Sequence, residues 1–212
     1  MVGSTHGLSA RRRTSCGAMS SLASLDVLVV DDHGAVRDGL YALLEQTPGL
    51  EPAGAAANGR EAIALAHESR PRVVILDVHL PGEDGLSLCL RLKSAADPPA
   101  VILYSAFADE RLAVRGVVAG ADAVVGKDED PDVLCRVVFE AARGRRPILE
   151  VSPEGLRDAS MRLHPDDLPV IGMLVHGTPV DEIATTLGVS HSWLTARRWA
   201  MLAALAVSPS AP

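Results

Sequence analysis

Four short aliphatic runs, Val27-Leu-Val-Val30, Val73-Val-Ile-Leu76, Val101-Ile-Leu-Tyr104 and the weaker Ala123-Val-Val125, recur along residues 25–143 with longer segments of helical period between them. Continuous β-branched runs suit strands buried on both faces, as in a parallel sheet, because a strand with one wet face alternates apolar with polar. Between them the period changes. Val36, Leu40, Leu43 and Leu44 stand at i, i+4, i+7 and i+8, while Val133, Leu134, Val137, Val138 and Ala141 make another stripe one helix face wide. A strand of weak propensity is predicted over 51–57, ahead of Asn58-Gly59 and a helical run over 60–68. Leu86, Leu88, Leu90 and Leu92 alternate strictly, which taken alone reads as a strand. Parallel neighbours need a crossover of about a dozen or more residues, however, and between Leu76 and Val101 only 85–95 can supply it as a helix. The expectation is five βα units, a doubly wound α/β domain with a five-stranded parallel sheet over residues 25–143.

The 212 residues leave room for a second domain. Residues 144–162, with Gly144-Arg-Arg-Pro147 and Ser152-Pro153-Glu154-Gly155, read as a linker holding one helical turn; 163–207 are purely helical in period, and 208–212 form a tail. Residues 1–24 contain Arg11, Arg12 and Arg13 but no apolar segment of a secretory signal, and read as a disordered tail in which Met19 is a candidate start. No apolar run approaches the roughly 18 residues of a membrane span. Cys16, Cys89 and Cys135 are odd in number and scattered, so neither a disulfide framework nor a zinc site is indicated, and a reducing cytoplasm is expected. The net charge of -7 divides unevenly, +3 over 1–24, -8 over 25–145 and -2 over 146–212, so the C-terminal part lacks the strongly basic footprint of most nucleic-acid binders.

Polar residues stand at the carboxyl ends of four strands: Asp31 and Asp32 after the first, Asp77 after the third, Ser105 after the fourth and Lys127 after the fifth. In open α/β sheets ligands bind outside those ends, at a switch in strand order, so these side chains should converge. Three carboxylates in one crevice repel each other unless a cation compensates, and hard oxygen donors facing one lysine suit Mg²⁺. One carboxylate can then attack a phosphoryl group whose charge the metal, the Lys127 ammonium and the Ser105 hydroxyl neutralise, giving an aspartyl phosphate. Singly, each residue has a bland reading: an Asp after a strand is most often a helix N-cap, a lone Lys solvated, a lone Ser a turn residue. All five at the right strand ends favour the chemical reading.

On these residues the region resembles the receiver domain of two-component response regulators, a flavodoxin-like fold. Its most specific stretches are Leu28-Val-Val-Asp-Asp-His33 and Val73-Val-Ile-Leu-Asp77-Val-His-Leu-Pro81-Gly82-Glu-Asp-Gly85. The resemblance implies that Asp77 is the phosphoacceptor, taking phosphate from a histidine-kinase phosphohistidine. It implies that Asp32 binds Mg²⁺ directly and Asp31 through water, with Asp77 and the His79 carbonyl also coordinating, and that Ser105 and Lys127 read the phosphoryl oxygens. In that family an aromatic residue three positions before the lysine rotates with the switch; this chain has Val124 there, so the resemblance does not carry that relay over. Gly34 stands where close relatives often have Pro, and Asp128 follows Lys127 where many members have Pro; neither departure removes a catalytic group.

Residues 163–207 are similar to the LuxR-type helix-turn-helix output domain in Leu163-His-Pro-Asp-Asp-Leu168, in Glu182-Ile-Ala-Thr-Thr-Leu-Gly-Val-Ser190 and in a final helix to Val207. Thr178-Pro179 makes a good N-cap and first helical residue, Ile183, Ala184 and Leu187 face inward, and Gly188-Val-Ser190 turns into a helix capped by Ser190. Leu194, Met201, Leu202 and Leu205 give that helix its buried side. The resemblance implies DNA contacts from Ser192, Trp193, Thr195, Ala196, Arg197 and Arg198. Where the family commonly places lysines this chain has Thr195 and Trp199, so phosphate neutralisation rests on two arginines and electrostatic affinity should be weak unless dimerisation doubles the contacts. His164 replaces the usual Thr cap, and Pro169 requires the first helix to begin near Asp166 or Asp167. Trp193 and Trp199 read as packing or interface residues.

The expectation is a cytoplasmic response regulator of the NarL/LuxR type. Its partners would be a histidine kinase, double-stranded DNA and, on phosphorylation, a second copy of itself, with no membrane and no enzyme activity of its own. In the alternative, the helical module binds protein instead of DNA, with Trp199 and Arg198 at a partner surface. A phosphatase using the same carboxylates would need a cap domain or substrate pocket that the sequence does not supply.

Overall fold

The structure is a computed structural model and describes residues 24–145 and 151–206. The expectations for residues 1–23, 146–150 and 207–212 therefore lie outside the described residues. The first domain runs β1 (Leu25–Val30), α1 (Gly34–Gln46), β2 (Leu50–Ala56), α2 (Gly59–Ser69), β3 (Val73–Asp77), β4 (His79–Leu80), β5 (Glu83–Asp84), α3 (Gly85–Lys93), β6 (Ala100–Ser105), α4 (Glu110–Ala119), β7 (Ala123–Gly126) and α5 (Pro131–Ala142). Five strands pair in parallel in the order β2-β1-β3-β6-β7.

The aliphatic runs are buried on both faces because the strands send alternate residues into two cores. Leu28, Val30, Val74, Leu76 and Leu103 join one core with α2, α3 and α4, while Val27, Val29, Val73, Ile75 and Ile102 join the other with α1 and α5. The weak second strand is an edge, where Pro52 is tolerated because a missing donor there costs no ladder bond. The register slips beside it, between Val27 and Leu28, and Gly54 takes φ +140.

Leu86, Leu88, Leu90 and Leu92 lie in the helix α3, all buried. Their alternation is tolerated because α3 packs against the sheet, α2, α4 and a helix of the second domain, so a single stripe is not required. The β4–β5 hairpin around Pro81-Gly82, not anticipated from sequence, sits between β3 and α3.

The segment expected to hold one helical turn carries a full helix, α6 (Pro153–Arg162), whose Ser152 hydroxyl accepts from Gly155 N at 2.9 Å. A 3₁₀ turn (Pro165–Asp167), α7 (Leu168–Val175), α8 (Val180–Leu187) and α9 (His191–Ala206) follow. His164 does cap: its Nδ1 accepts from Asp166 N at 3.3 Å while its own amide donates to Asp167 Oδ2 at 3.1 Å. The turn thus begins ahead of Asp166, and Pro169 falls in the first turn of α7, where no donor is required. One expectation needs correcting. The cap before α8 is Pro179 instead of Thr178, and no side chain bonds there, so the helix starts one residue late. Ser190 accepts from Trp193 N at 3.1 Å, as the turn chemistry predicts.

The two domains share one apolar cluster, with α6, α7 and α9 packed on α4 and α9 reaching α3. Among the described residues no helix is long and apolar enough to cross a membrane.

Candidate functional site

Strand order reverses between β1 and β3, and the polar residues at the carboxyl ends of the strands meet at that switch point. Asp31 and Asp77 are 1% and 3% exposed. Lys127, just past β7, places Nζ 2.6 Å from Asp31 Oδ2 and 3.0 Å from Asp77 Oδ2. One ammonium thus spans the two buried carboxylates and offsets the cost of burying them near each other. Burial pulls the Lys127 pKa down, but its hydrogen bonds to Asp31 and Asp77 outweigh that and hold it above the ordinary lysine value. Tyr104 lies beside it, with Nζ 5.8 Å from the ring centroid; burial raises the phenol's pKa and the nearby ammonium opposes this.

Ligand atoms of Asp31, Asp32, His33 and Asp77 lie within 4.8 Å of one another. The Asp32 Oδ1 atom is closed off from solvent and receives no well-directed hydrogen bond, although His33 Nδ1 stands 2.7 Å away. Carboxylate oxygens gathered this closely, one of them shut off from solvent with only the His33 imidazole beside it, fit a hard divalent cation such as Mg²⁺. His79 donates its amide to Asp77 Oδ1 at 3.3 Å, and its imidazole is exposed.

Ser105 is fully buried, and its hydroxyl faces its own loop, accepting from Phe107 N at 3.1 Å. Gly85 closes the loop under Asp77: its amide donates to Val78 O at 2.9 Å, and a Cβ there would collide with the Asp77 carbonyl oxygen and lie 2.8 Å from Val78 Cα. Only glycine fits so close to backbone. Tyr104 and Gly85 also belong to the site; the sequence offers Gly85 only as the end of the Val73–Gly85 motif, and Tyr104 carries no pattern signal beyond its place at a strand end.

Residues 27–139 match the family profile of the response regulator receiver domain, more than half of the chain. The chain belongs to the response regulators. This response regulator is 28% identical over 185 residues to the nitrate/nitrite response regulator protein NarL of Escherichia coli K12, a match covering 82% of this chain and 86% of the relative. It is 29% identical over 181 residues to the transcriptional regulatory protein YdfI of Bacillus subtilis 168, covering 81% and 84%. Among solved structures, a LuxR-family two-component response regulator from Aurantimonas sp. SI85-9A1 superposes with a TM-score of 0.56 at 28% identity, covering 66% of this chain and 99% of that one.

The response regulator's second candidate surface is α9. Ser192, Trp193 and Ala196 are exposed, and Thr195 and Arg197 are half-buried. Arg197 Nε pairs with Asp167, and its guanidinium lies 6.0 Å from the Trp193 ring centroid. Arg198 departs from expectation. It is 3% exposed and donates Nε to the Val118 carbonyl at 2.8 Å, near the C-terminus of receiver helix α4. The reason lies in its spacing, four residues after Leu194 and three before Met201, within the buried stripe of α9. The packing reading suits Trp199, which lies against the core, but Trp193 is 41% exposed.

Proposed function

We propose that this response regulator is phosphorylated on Asp77 by a histidine kinase and acts as a DNA-binding transcriptional regulator. The observation that carries the reading is the Lys127 ammonium held between Asp31 and Asp77 at the switch point. An Asp77 oxygen attacks phosphorus as the P–N bond to the kinase imidazole breaks. The imidazole nitrogen keeps the electron pair and the phosphoryl group becomes an acyl phosphate. Lys127 then exchanges its bond to Asp77 for a phosphoryl oxygen, and Ser105 turns its hydroxyl proton from Phe107 O to another. Asp31, Asp32, Asp77 and the His79 carbonyl would hold Mg²⁺, which supplies positive charge to the phosphoryl oxygens. A domain boundary between 143 and 163, with a helical output over 163–207, is part of the same reading.

Similarity to a relative named as a transcriptional regulatory protein supports the output half. Arg197 and Arg198 are both engaged within the chain, so DNA binding requires them to be released. Homodimerisation on phosphorylation would then bring two such helices to one duplex. The test is salt-dependent binding of the Asp77-phosphorylated protein to DNA fragments. With about four arginine contacts per dimer, the slope of log affinity against log salt should be about -4 or shallower. No binding at low salt contradicts the reading and leaves a protein-binding output module.

A further inference from the structure

Phe107 is the most exposed aromatic side chain at the edge of the phosphorylation site, 75% exposed in the loop between β6 and α4. An apolar ring left in water costs free energy that burial would recover, so its exposure calls for a reason. In this structure the ring lines a crevice of about 210 Å³ between the domains, with Arg162 and Leu205 across it. On the other side of the same loop a second crevice of about 250 Å³ opens, lined by Ala108, Ala113, Val124, Val125, Gly126 and Val133 among others. Its lining is made of small and branched aliphatic residues together with Asp109, Glu110 and Glu129. A cavity of about 150 Å³ accommodates a benzene ring, so this one has room for a phenyl group.

The Ser105 side chain restrains the loop between these two places. The buried Ser105 hydroxyl accepts from Phe107 N at 3.1 Å and lies 3.4 Å from Phe107 O. Ser105 is also the hydroxyl at the carboxyl end of β6, beside Asp77's strand. When the Ser105 side chain rotates about its Cα–Cβ bond to donate to a phosphoryl oxygen on Asp77, its Oγ leaves both Phe107 N and Phe107 O and the loop backbone is released.

We propose that phosphorylation of Asp77 moves Phe107 out of the interdomain crevice and into the cavity beside Val124. The inference rests on the phosphoacceptor reading of Asp77 and adds the moving part. Withdrawal of the ring removes one wall of the crevice that Arg162 and Leu205 also line, and its insertion fills the face formed by α4, β7 and α5.

The chain has two phenylalanines, Phe107 and Phe139, so 4-fluorophenylalanine labelling of the full chain gives two ¹⁹F resonances, assigned with Phe107→Leu. Mg²⁺ and beryllofluoride serve as the phosphoryl mimic, and a soluble gadolinium chelate reports exposure. The Phe107 signal should be broadened strongly at rest and several-fold less once beryllofluoride is bound, with Phe139 unchanged. Val124→Tyr, which fills the cavity, should leave Phe107 exposed in both states. The bound fluorides give their own resonances and so report whether the mimic is seated. Seated beryllofluoride with Phe107 as accessible as at rest overturns the proposal, as does equal protection in Val124→Tyr. Absence of bound fluoride in the parent overturns the Asp77 reading itself, and this proposal with it.

Discussion

Arg198 of α9 donates its Nε to the carbonyl oxygen of Val118, 2.8 Å away at the end of receiver helix α4. A guanidinium at a helix C-terminus meets carbonyls with no partner inside the helix and the negative end of the dipole. The neighbouring Gly120, at φ +80, leaves the space: a Cβ there would lie 2.5 Å from Arg198 Nη2. A charged donor from the output domain thus completes a helix end of the receiver.

Arg198→Met should lower stability by about 1.5–3 kcal/mol, the usual worth of a hydrogen bond from a charged group. Gly120→Ala should act in the same direction by crowding the guanidinium and straining a left-handed residue. Hydrogen exchange is expected to rise at the C-terminus of α4 and along α9 in both variants. Exchange at parental rates in both would show that this bond does not hold the domains together.

Gly85→Ala forces a methyl group against the Asp77 and Val78 backbone. Backbone cannot retreat as a flexible side chain can, so the cost should be about 1–3 kcal/mol in chemical denaturation. Phosphate uptake should fall as well, since the strand end carrying Asp77 must shift. Parental stability would show that the loop has slack the structure does not display.

Lys127→Met should slow phosphate uptake from an acyl phosphate donor roughly 10²-fold, the scale of losing one charge-stabilising donor. Its effect on stability has a defined pH window. Because the folded pKa of Lys127 is raised, the stabilisation from its charge is complete below the unfolded value of about 10.4 and is lost as pH rises through the folded one. The stability gap between parent and variant, measured without magnesium, should therefore be constant from pH 7 to 9 and shrink only above pH 10. A gap that closes near neutrality would contradict the assignment.

Removing Mg²⁺ with a chelator should abolish phosphate uptake, and Asp32→Asn should weaken Mg²⁺ binding at least about tenfold, or about 1.4 kcal/mol. Calorimetric titration with Mg²⁺ alone checks this. Unchanged affinity in the variant would mean that the Asp32 carboxylate is not a ligand position.

The sheet was legible because burial on both faces leaves unbroken β-branched runs such as Val73–Leu76, and the strand ends then locate Asp31, Asp77 and Lys127 without further information. The α3 leucines were legible only through topology. Their alternation is accommodated because the sheet, α2, α4 and α9 all pack on the helix, which no local pattern announces. The burial of Arg198 is legible in its spacing from Leu194 and Met201, which puts it on the buried stripe of α9, whereas the resemblance to the helix-turn-helix family points only to a DNA contact. The Ser105 to Phe107 bond was not legible at all, since loop hydrogen bonds depend on backbone direction and leave no periodic trace. The length of α6 was underestimated because Pro153 and Gly155 read as breakers, whereas Pro at the first turn with Ser152 as cap is a helix start.

The most direct test is radiolabel transfer to Asp77. The parent protein with Mg²⁺ and a phosphorylated histidine kinase should acquire acid-stable, base-labile label on one aspartyl peptide, and Asp77→Asn should acquire none. Label taken up by Asp77→Asn at the parental level would contradict the account.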